Sequence, residues 1–259
     1  MTRTSPDASR AVLITGCSSG IGRAIAVGLQ LRGYRVFASA RQAQDIPGLR
    51  DMGLDSLQLD LSDSASINSA VDQVLTQTQG RLYALINNGA YGQPGAVEDL
   101  SRDTLRRQFE TNLFGTHELT NRLIPTFRAA NRGRIIQISS LLGYVCLPYR
   151  GAYNASKYAL EALSDTLRLE LHSSGIKVSL IEPGPIRSRF RPNAYAAYQA
   201  HIDAENSPHR TLYNQVTHRL LSEKDAPFTL PPEAVLTPVL HALESKRPRA
   251  RYRVTFPAH

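Results

Sequence analysis

The stretch from Ala11 to Gly33, AVLITGCSSGIGRAIAVGLQLRG, decides the fold. A five-residue apolar run, AVLIT, passes directly into Gly16, Gly20 and Gly22, and the chain continues as an amphipathic helix through Gly33. Glycines sit where the backbone must turn tightly, and the amides and dipole at the start of the helix favour an anion such as a pyrophosphate. A tight strand-to-helix turn also wants glycines for steric reasons, so the trio alone leaves both readings open. Its place at the first strand favours the phosphate.

Working outward, the same alternation repeats. RVFAS is followed by SLQLD, a helix from about Ser62, LYALI, two helical stretches between Ser101 and Ala130, RIIQIS, a helix from Ala152 to Leu171, and KVSLI. Strand and helix in alternation imply an α/β fold with a doubly wound parallel sheet, helices on both faces and ligands at the carboxyl ends of the strands. At 259 residues, one domain spanning 1–259 is expected. Residues 1–10 read as a polar tail without a signal-peptide core. The segment 190–230 holds Tyr195, Tyr198, Tyr213 and Phe228 and reads as a helical, partly mobile lid over a substrate. Pro231, Pro232 and Glu233 restart a helix, and residues 251–254 read as a last edge strand.

Apolar content of 42% and charged content of 20% suit a globular protein, and no apolar run approaches the roughly 20 residues of a membrane span. The net charge of +8 is scattered apart from Lys246, Arg247, Arg249, Arg251 and Arg253, which predicts a solvated surface and no nucleic acid, with some charge serving an anionic cofactor. Cys17 and Cys146 fall in a turn and a loop, and neither they nor the histidines show metal-ligand spacing. No metal is expected, and a reducing cytoplasm fits two free thiols.

The stretch ISSLLGYVCLPYRGAYNASKYAL carries the chemistry. Apolar residues Ala159, Leu163, Leu167 and Leu171 recur every four positions, so Tyr153 and Lys157 are neighbours on one helix. Reducing a carbonyl needs hydride at carbon and a proton at oxygen. Bringing a phenol from its ordinary value near 10 toward 7 takes about 4 kcal/mol of preferential phenolate stabilisation, which Lys157 and a positive nicotinamide can supply. Tyr153 is therefore read as the general acid, Lys157 as the group that depresses it, and Ser140 as a hydrogen-bond donor to the substrate oxygen. Ser139, by alternation, points to the other side. Each residue alone has an ordinary structural explanation; their joint spacing behind a glycine turn does not.

TGCSSGIG, LDLSD, TNLFG, ISS, YNASK and PGPIRS together resemble the short-chain dehydrogenase/reductase family from Val12 to about Phe190. The stretch 133–190 is similar to bacterial NADPH-dependent aldehyde reductases and more distantly to hydroxysteroid and retinol dehydrogenases. The resemblance implies a Rossmann sheet and a cofactor held by Gly16, Ser18, Ser19, Gly20, Ile21 and Gly22. It implies that Asp60 accepts from the adenine, or else caps the next helix, with Leu61 beside it. Asn87 would line the groove, Pro183, Gly184, Ile186 and Ser188 would embrace the nicotinamide, Lys157 would also bind the ribose, and Asn112 would hold a relay water. The family's acidic residue at the end of the second strand is replaced by Ala40, followed by Arg41. A guanidinium gives a 2′-phosphate charge-assisted hydrogen bonds of about 1.5–3 kcal/mol, or about 10- to 150-fold, so NADP(H) is expected. The family's Asn-Asn-Ala-Gly turn reads Asn87-Asn88-Gly89-Ala90 here, moving the glycine's freedom by one residue.

A pocket of Leu141, Leu142, Val145, Tyr149 and Tyr91 implies an aliphatic or aromatic carbonyl substrate rather than a charged sugar. The expected function is NADPH-dependent reduction of an aldehyde or ketone. The alternatives are a steroid or retinoid alcohol dehydrogenase and a dinucleotide-sensing protein without turnover, which would be expected to lose the tyrosine or lysine present here. The resemblance further implies a homodimer or homotetramer through the helices at 101–130 and 153–173. Relatives of this style commonly continue into an apolar, basic helix, and association with a membrane surface is expected only if such a C-terminal tail is missing from this sequence.

Overall fold

The computed structural model describes residues 7–222 and 224–258. In chain order the elements are β1 (Asp7–Ile14), α1 (Gly20–Gln30), β2 (Tyr34–Ala40), α2 (Ile46–Asp51), β3 (Asp55–Gln58), α3 (Ser64–Thr78), β4 (Leu82–Asn87), α4 (Arg102–Phe109) and α5 (Gly115–Ala129). There follow β5 (Gly133–Ile138), α6 (Gly151–Glu170), β6 (Ile176–Pro183), α7 (Phe190–His201), α8 (Arg210–Leu221), α9 (Leu236–Glu244) and β7 (Arg251–Val254). The seven strands form one parallel sheet in the order β3-β2-β1-β4-β5-β6-β7. Strand order reverses between β1 and β4, which opens a crevice at their carboxyl ends.

Alternation along each strand sorts the core into two layers. Val12 and Ile14 of β1 face Ile25 and Leu29 of α1 and Val239 and Leu243 of α9. Ala11 and Leu13 face Ile67 and Val71 of α3 and Leu119 and Leu123 of α5. Both faces are dry, so the strands read as continuous apolar runs rather than alternating ones. Helix starts follow local capping: the Asp63 carboxylate accepts from the Ala65 amide at 2.9 Å ahead of α3, and the Ser101 hydroxyl accepts from the Thr104 amide at 3.1 Å ahead of α4.

Three sequence expectations are adjusted. β1 begins at Asp7, so the expected tail at 7–10 is strand, while residues 1–6 lie outside the described residues. The two helical stretches between Ser101 and Ala130 join without a break through a wide π-turn at Glu110–Phe114, whose extra residue turns Asn112 inward. The segment 190–230 forms α7 and α8 around its own small core of Tyr198, Ile202 and Tyr213 with Ala96, and its end is pinned where the Leu230 amide donates to the Pro185 carbonyl at 3.1 Å. Among the described residues no helix is long and apolar enough to cross a membrane.

Glycine matters most where α5 starts. A Cβ on Gly115 would lie 1.7 Å from the Leu61 carbonyl oxygen, a backbone atom that cannot swing away. Gly48, in α2, has open space and an ordinary φ. Gly115→Ala is expected to destabilise by about 3 kcal/mol or more as the helix is pushed off the sheet, and Gly48→Ala to change stability by less than about 1 kcal/mol, in the stabilising direction. Urea unfolding of the two variants checks this, and a Gly115→Ala midpoint equal to wild type would contradict it.

Candidate active site

One groove of about 1980 Å³ runs across the carboxyl ends of the strands, well beyond the roughly 300–1,000 Å³ of a pocket for one small ligand. At one end the chain leaves β1 through Gly16 with φ 70° and Gly20 with φ 56°, both in the left-handed region. The turn is braced from β4. The Thr15 hydroxyl accepts from the amides of Asn88 and Gly89 at 2.9 and 2.8 Å, and the Asn88 side chain donates to the carbonyls of Thr15 and Gly16 at 2.9 and 3.0 Å. Ser19 makes no side-chain cap at the start of α1, so the first-turn amides are left for a ligand, and Gly16, Ser18, Ser19, Gly20 and Ile21 line the groove. These features fit the pyrophosphate of a dinucleotide.

Gly22 is placed differently from expectation. It is buried beneath the turn, where a Cβ would lie 2.3 Å from the Gly16 carbonyl oxygen; it permits the turn rather than lining the groove. Asn87 is also turned away. As the last residue of β4 its side chain points to the α5 face, where Nδ2 donates to the Thr120 hydroxyl at 2.9 Å, and it is Asn88 that lines the groove. Gly89 has no left-handed φ, so the exchanged Gly89-Ala90 does not use conformational freedom. It supplies space: a Cβ there would meet Leu61 at 3.0 Å and Thr15 at 3.2 Å, and Ala90 takes its place along the groove.

Ala40 is buried at the end of β2, while the exposed Arg41 lines the groove beside Gln42. Asp60 and Leu61 line it too. Asp63, not Asp60, caps α3; Asp60 instead accepts from the Ser62 amide and hydroxyl at 2.9 and 2.7 Å. Pro183, Gly184, Ile186 and Ser188 form the opposite wall, with Ser188 lying against Gly20.

At the middle of the groove Ser140, Tyr153 and Lys157 share one wall. Ser140 follows β5 in extended backbone; its oxygen accepts from the Leu142 amide at 3.1 Å, its hydroxyl donates to the Pro183 carbonyl at 3.5 Å, and it stands within hydrogen-bonding reach of the Tyr153 phenol. The Lys157 Nζ donates to the Ile138 carbonyl at 2.8 Å and lies 5.7 Å from the Tyr153 ring centre. Its other donors remain for the groove. Burial pushes the Tyr153 phenol up to about 12, against the pull of Ser140 and the Arg150 charge. Burial likewise brings Lys157 down to about 8, against the Glu161 carboxylate one turn further along α6. In the protein alone desolvation outweighs the pull of Ser140 and Arg150, so the phenol stands above its ordinary value. Glu161 is in turn held by Arg251 of β7, whose Nε and Nη2 donate to its Oε2 at 3.1 and 3.0 Å, and the same guanidinium reaches Asp165 at 2.7 Å.

Asn112 lies behind this wall rather than in it. Its Oδ1 accepts from the Tyr91 amide at 3.1 Å, and its Nδ2 donates to the Tyr91 carbonyl at 2.9 Å and the Ser156 hydroxyl at 3.1 Å. The residue holds Tyr91, which does line the groove, as do Leu141, Leu142 and Tyr149. Val145 does not; it lies exposed on the loop after Leu141–Gly143, while its carbonyl accepts from Asn154.

Sequence reasoning missed several neighbours. Phe190 meets the Tyr153 ring edge-on at 5.2 Å, filling the space left by Gly92. Arg150, Arg191 and Arg219 also line the groove, and the Arg150 charge acts on the Tyr153 phenol. No periodicity marks a lone arginine on a loop or a helix end, but the spacing of Arg150 three residues ahead of Tyr153 was open to view. Of the lid aromatics, Tyr195 lines the groove, whereas Tyr198 and Tyr213 belong to the lid's own core. Cys17 is buried beside the turn with its thiol pushed up to about 12, and no metal-binding cluster occurs among the described residues.

Known proteins share this architecture and this sequence. A family model described as short chain dehydrogenase matches residues 10–199. The uncharacterized oxidoreductase YbbO of Escherichia coli is 44% identical over 95% of this chain and 86% of its own length. The NADPH-dependent 3-dehydrocapnine reductase of Ornithobacterium rhinotracheale is 32% identical over 95% of this chain and 88% of its own. A short-chain dehydrogenase from Streptomyces avermitilis superposes with a TM-score of 0.77 at 28% identity, covering 100% of this chain and 90% of its own. Proteins of this kind are oxidoreductases that bind a nicotinamide dinucleotide. On the family match, the extended identity and the shared sheet, the chain belongs to the short-chain dehydrogenase family.

Proposed function

We propose that the protein reduces an aldehyde or ketone to the alcohol with NADPH. The observation that carries the reading is the meeting of Ser140, Tyr153 and Lys157 on one wall of a groove that begins at the Gly16–Gly20 turn. Bound in that groove, the cofactor supplies the hydride. Ser140 orients the carbonyl oxygen, and Tyr153 gives that oxygen its proton as negative charge gathers there. Lys157 stands beside the resulting phenolate and offers donors to the ribose. Asn112 acts through Tyr91, whose backbone it holds at both the amide and the carbonyl. Arg41, with no acidic group at Ala40, favours the 2′-phosphate of NADPH. Exposed Leu105, Phe114, Leu163 and Leu169 on α4, α6 and the π-turn support pairing into a homodimer or homotetramer.

A panel of aldehydes, ketones and steroid alcohols, assayed with NADPH and with NADH beside Tyr153→Phe, tests the reading. Tyr153→Phe is expected to lower kcat for reduction by about 10²–10⁴-fold while NADPH still binds, as followed by nucleotide fluorescence. An undiminished rate, or turnover of a steroid alcohol alone, overturns it. Arg41→Ala is expected to raise the KM for NADPH by about 10- to 150-fold and leave that for NADH nearly unchanged; equal effects on both nucleotides would remove Arg41 from phosphate recognition.

Lys157 also has a thermodynamic signature in the cofactor-free protein. Its fall from 10.5 to about 8 corresponds to about 3 kcal/mol spent on holding a buried charge. The folded state binds this proton less tightly than the unfolded chain, so the cost is fully present below about pH 8 and fades as pH rises to 10.5. Lys157→Met is therefore expected to melt above wild type near neutrality, with the gap closing toward about pH 10 in thermal denaturation. A variant that melts at or below wild type across that range would show that the charge is not costly.

A further inference from the structure

The groove that holds Tyr153 also carries three arginines from separate elements. Arg150 closes the loop ahead of α6, Arg191 sits in the first turn of α7 and Arg219 in the last turn of α8, and all three line the cavity. Arg150 lies within electrostatic range of the other two and of the Tyr153 phenol. Its Nη1 is buried with no hydrogen-bond partner among the described residues. Among the described residues, Asp225 is committed to Arg187 at 2.6 Å, Glu98 to His209 at 2.6 Å, and Asp99 to Ser207 at 2.6 Å and to Tyr213. Arg191 spends Nη1 on the carbonyls of Ser222 and Lys224, at 3.3 and 2.8 Å, which fixes its position without neutralising it. Among the described residues none of the three arginines makes an ion pair.

Like charges gathered in a partly dehydrated cavity repel, and burial with the Arg219 and Arg191 charges already lowers the proton affinity of Arg150. Such a cluster is relieved by an anion. The cofactor's phosphates have their own cradle at the glycine turn and Arg41, at the ends of β1 and β2, whereas Arg150 directly precedes the helix that carries Tyr153 and Arg191 follows Phe190, whose ring lies edge-on to that phenol. The same two helices that bring Arg191 and Arg219 also give the lining Phe190, Tyr195, Leu212 and Val216.

Resting on the reading as a carbonyl reductase, we infer that its substrate is an oxo acid: the carbonyl at Tyr153 is accompanied, a few bonds away, by a carboxylate or sulfonate that Arg150 and Arg219 receive, with Arg191 completing the charge. The apolar wall takes the hydrocarbon between or beside them. This departs from the sequence-based expectation of an uncharged aliphatic or aromatic carbonyl, because the three arginines come from separate elements and meet only in the fold.

The test uses matched pairs with NADPH: pyruvate, acetoacetate, levulinate and formylbenzoate, each against its methyl ester, with formylbenzenesulfonate as the second oxyanion. At least one acid is expected to exceed its ester in kcat/KM by about tenfold, or about 1.4 kcal/mol. That acid-to-ester ratio is expected to fall about tenfold in Arg150→Met and in Arg219→Met, and to be partly kept in Arg219→Lys. Preference for the sulfonate over the carboxylate identifies which oxyanion is native to the site. Esters that equal or beat every acid, a ratio unmoved in both variants, or variants that weaken NADPH instead, overturn the inference. If nothing is reduced, the reductase reading fails, and calorimetric titration of formylbenzoate and formylbenzenesulfonate into the NADP-loaded protein decides the anion site alone. Binding lost in Arg219→Met supports it, and absence of binding in wild type sinks it.

Discussion

Gly16 carries the chain out of β1 so close to the turn after β4 that an added Cβ would lie 2.8 Å from the Gly89 Cα. Everything at the cofactor end follows from this approach. Thr15 and Asn88 can tie the two turns together only because neither glycine holds them apart. Gly22 then lets α1 slide under the same turn, so the free amides of its first turn face the groove. The sheet order places this junction where the crossovers diverge, which is the one place where two strand ends can leave a crevice between them.

The groups proposed to react are held against their own preferences. Tyr153 and Lys157 are both buried, and burial raises the one and lowers the other. A fold selected only for stability would place apolar side chains there. Phe190 of α7 lies edge-on to the phenol, while Tyr198 and Tyr213 pack into the small core of α7 and α8. Stability is thus surrendered at the wall where chemistry is proposed and recovered in the two apolar layers of the sheet.

Most of the sheet was legible because short apolar runs bounded by glycines and amphipathic helices leave few arrangements, and the edge position of residues 251–254 followed from their brevity. Tyr153 and Lys157 were legible because helix periodicity alone puts them side by side. Asn87 against Asn88 was not, since at a strand end a single residue reverses the face and resemblance to a motif does not carry that precision. Val145 was misplaced because a short turn at Leu141–Gly143 redirects the chain before it. Arg150 stood in view three residues ahead of Tyr153, but the three arginines of the groove shared no pattern. Charges brought together from a loop and two helices have no common spacing, and the composition spread them over a surface.

Arg251 lies in the outermost strand yet grips Glu161 and Asp165 on α6, and Glu161 acts on Lys157 one turn away. The rim of the sheet and the buried Lys157 are therefore two ends of one lever. A fusion partner, an affinity handle or a neighbouring subunit that tugged on this last strand would alter the charge balance at the heart of the groove without touching any residue that lines it.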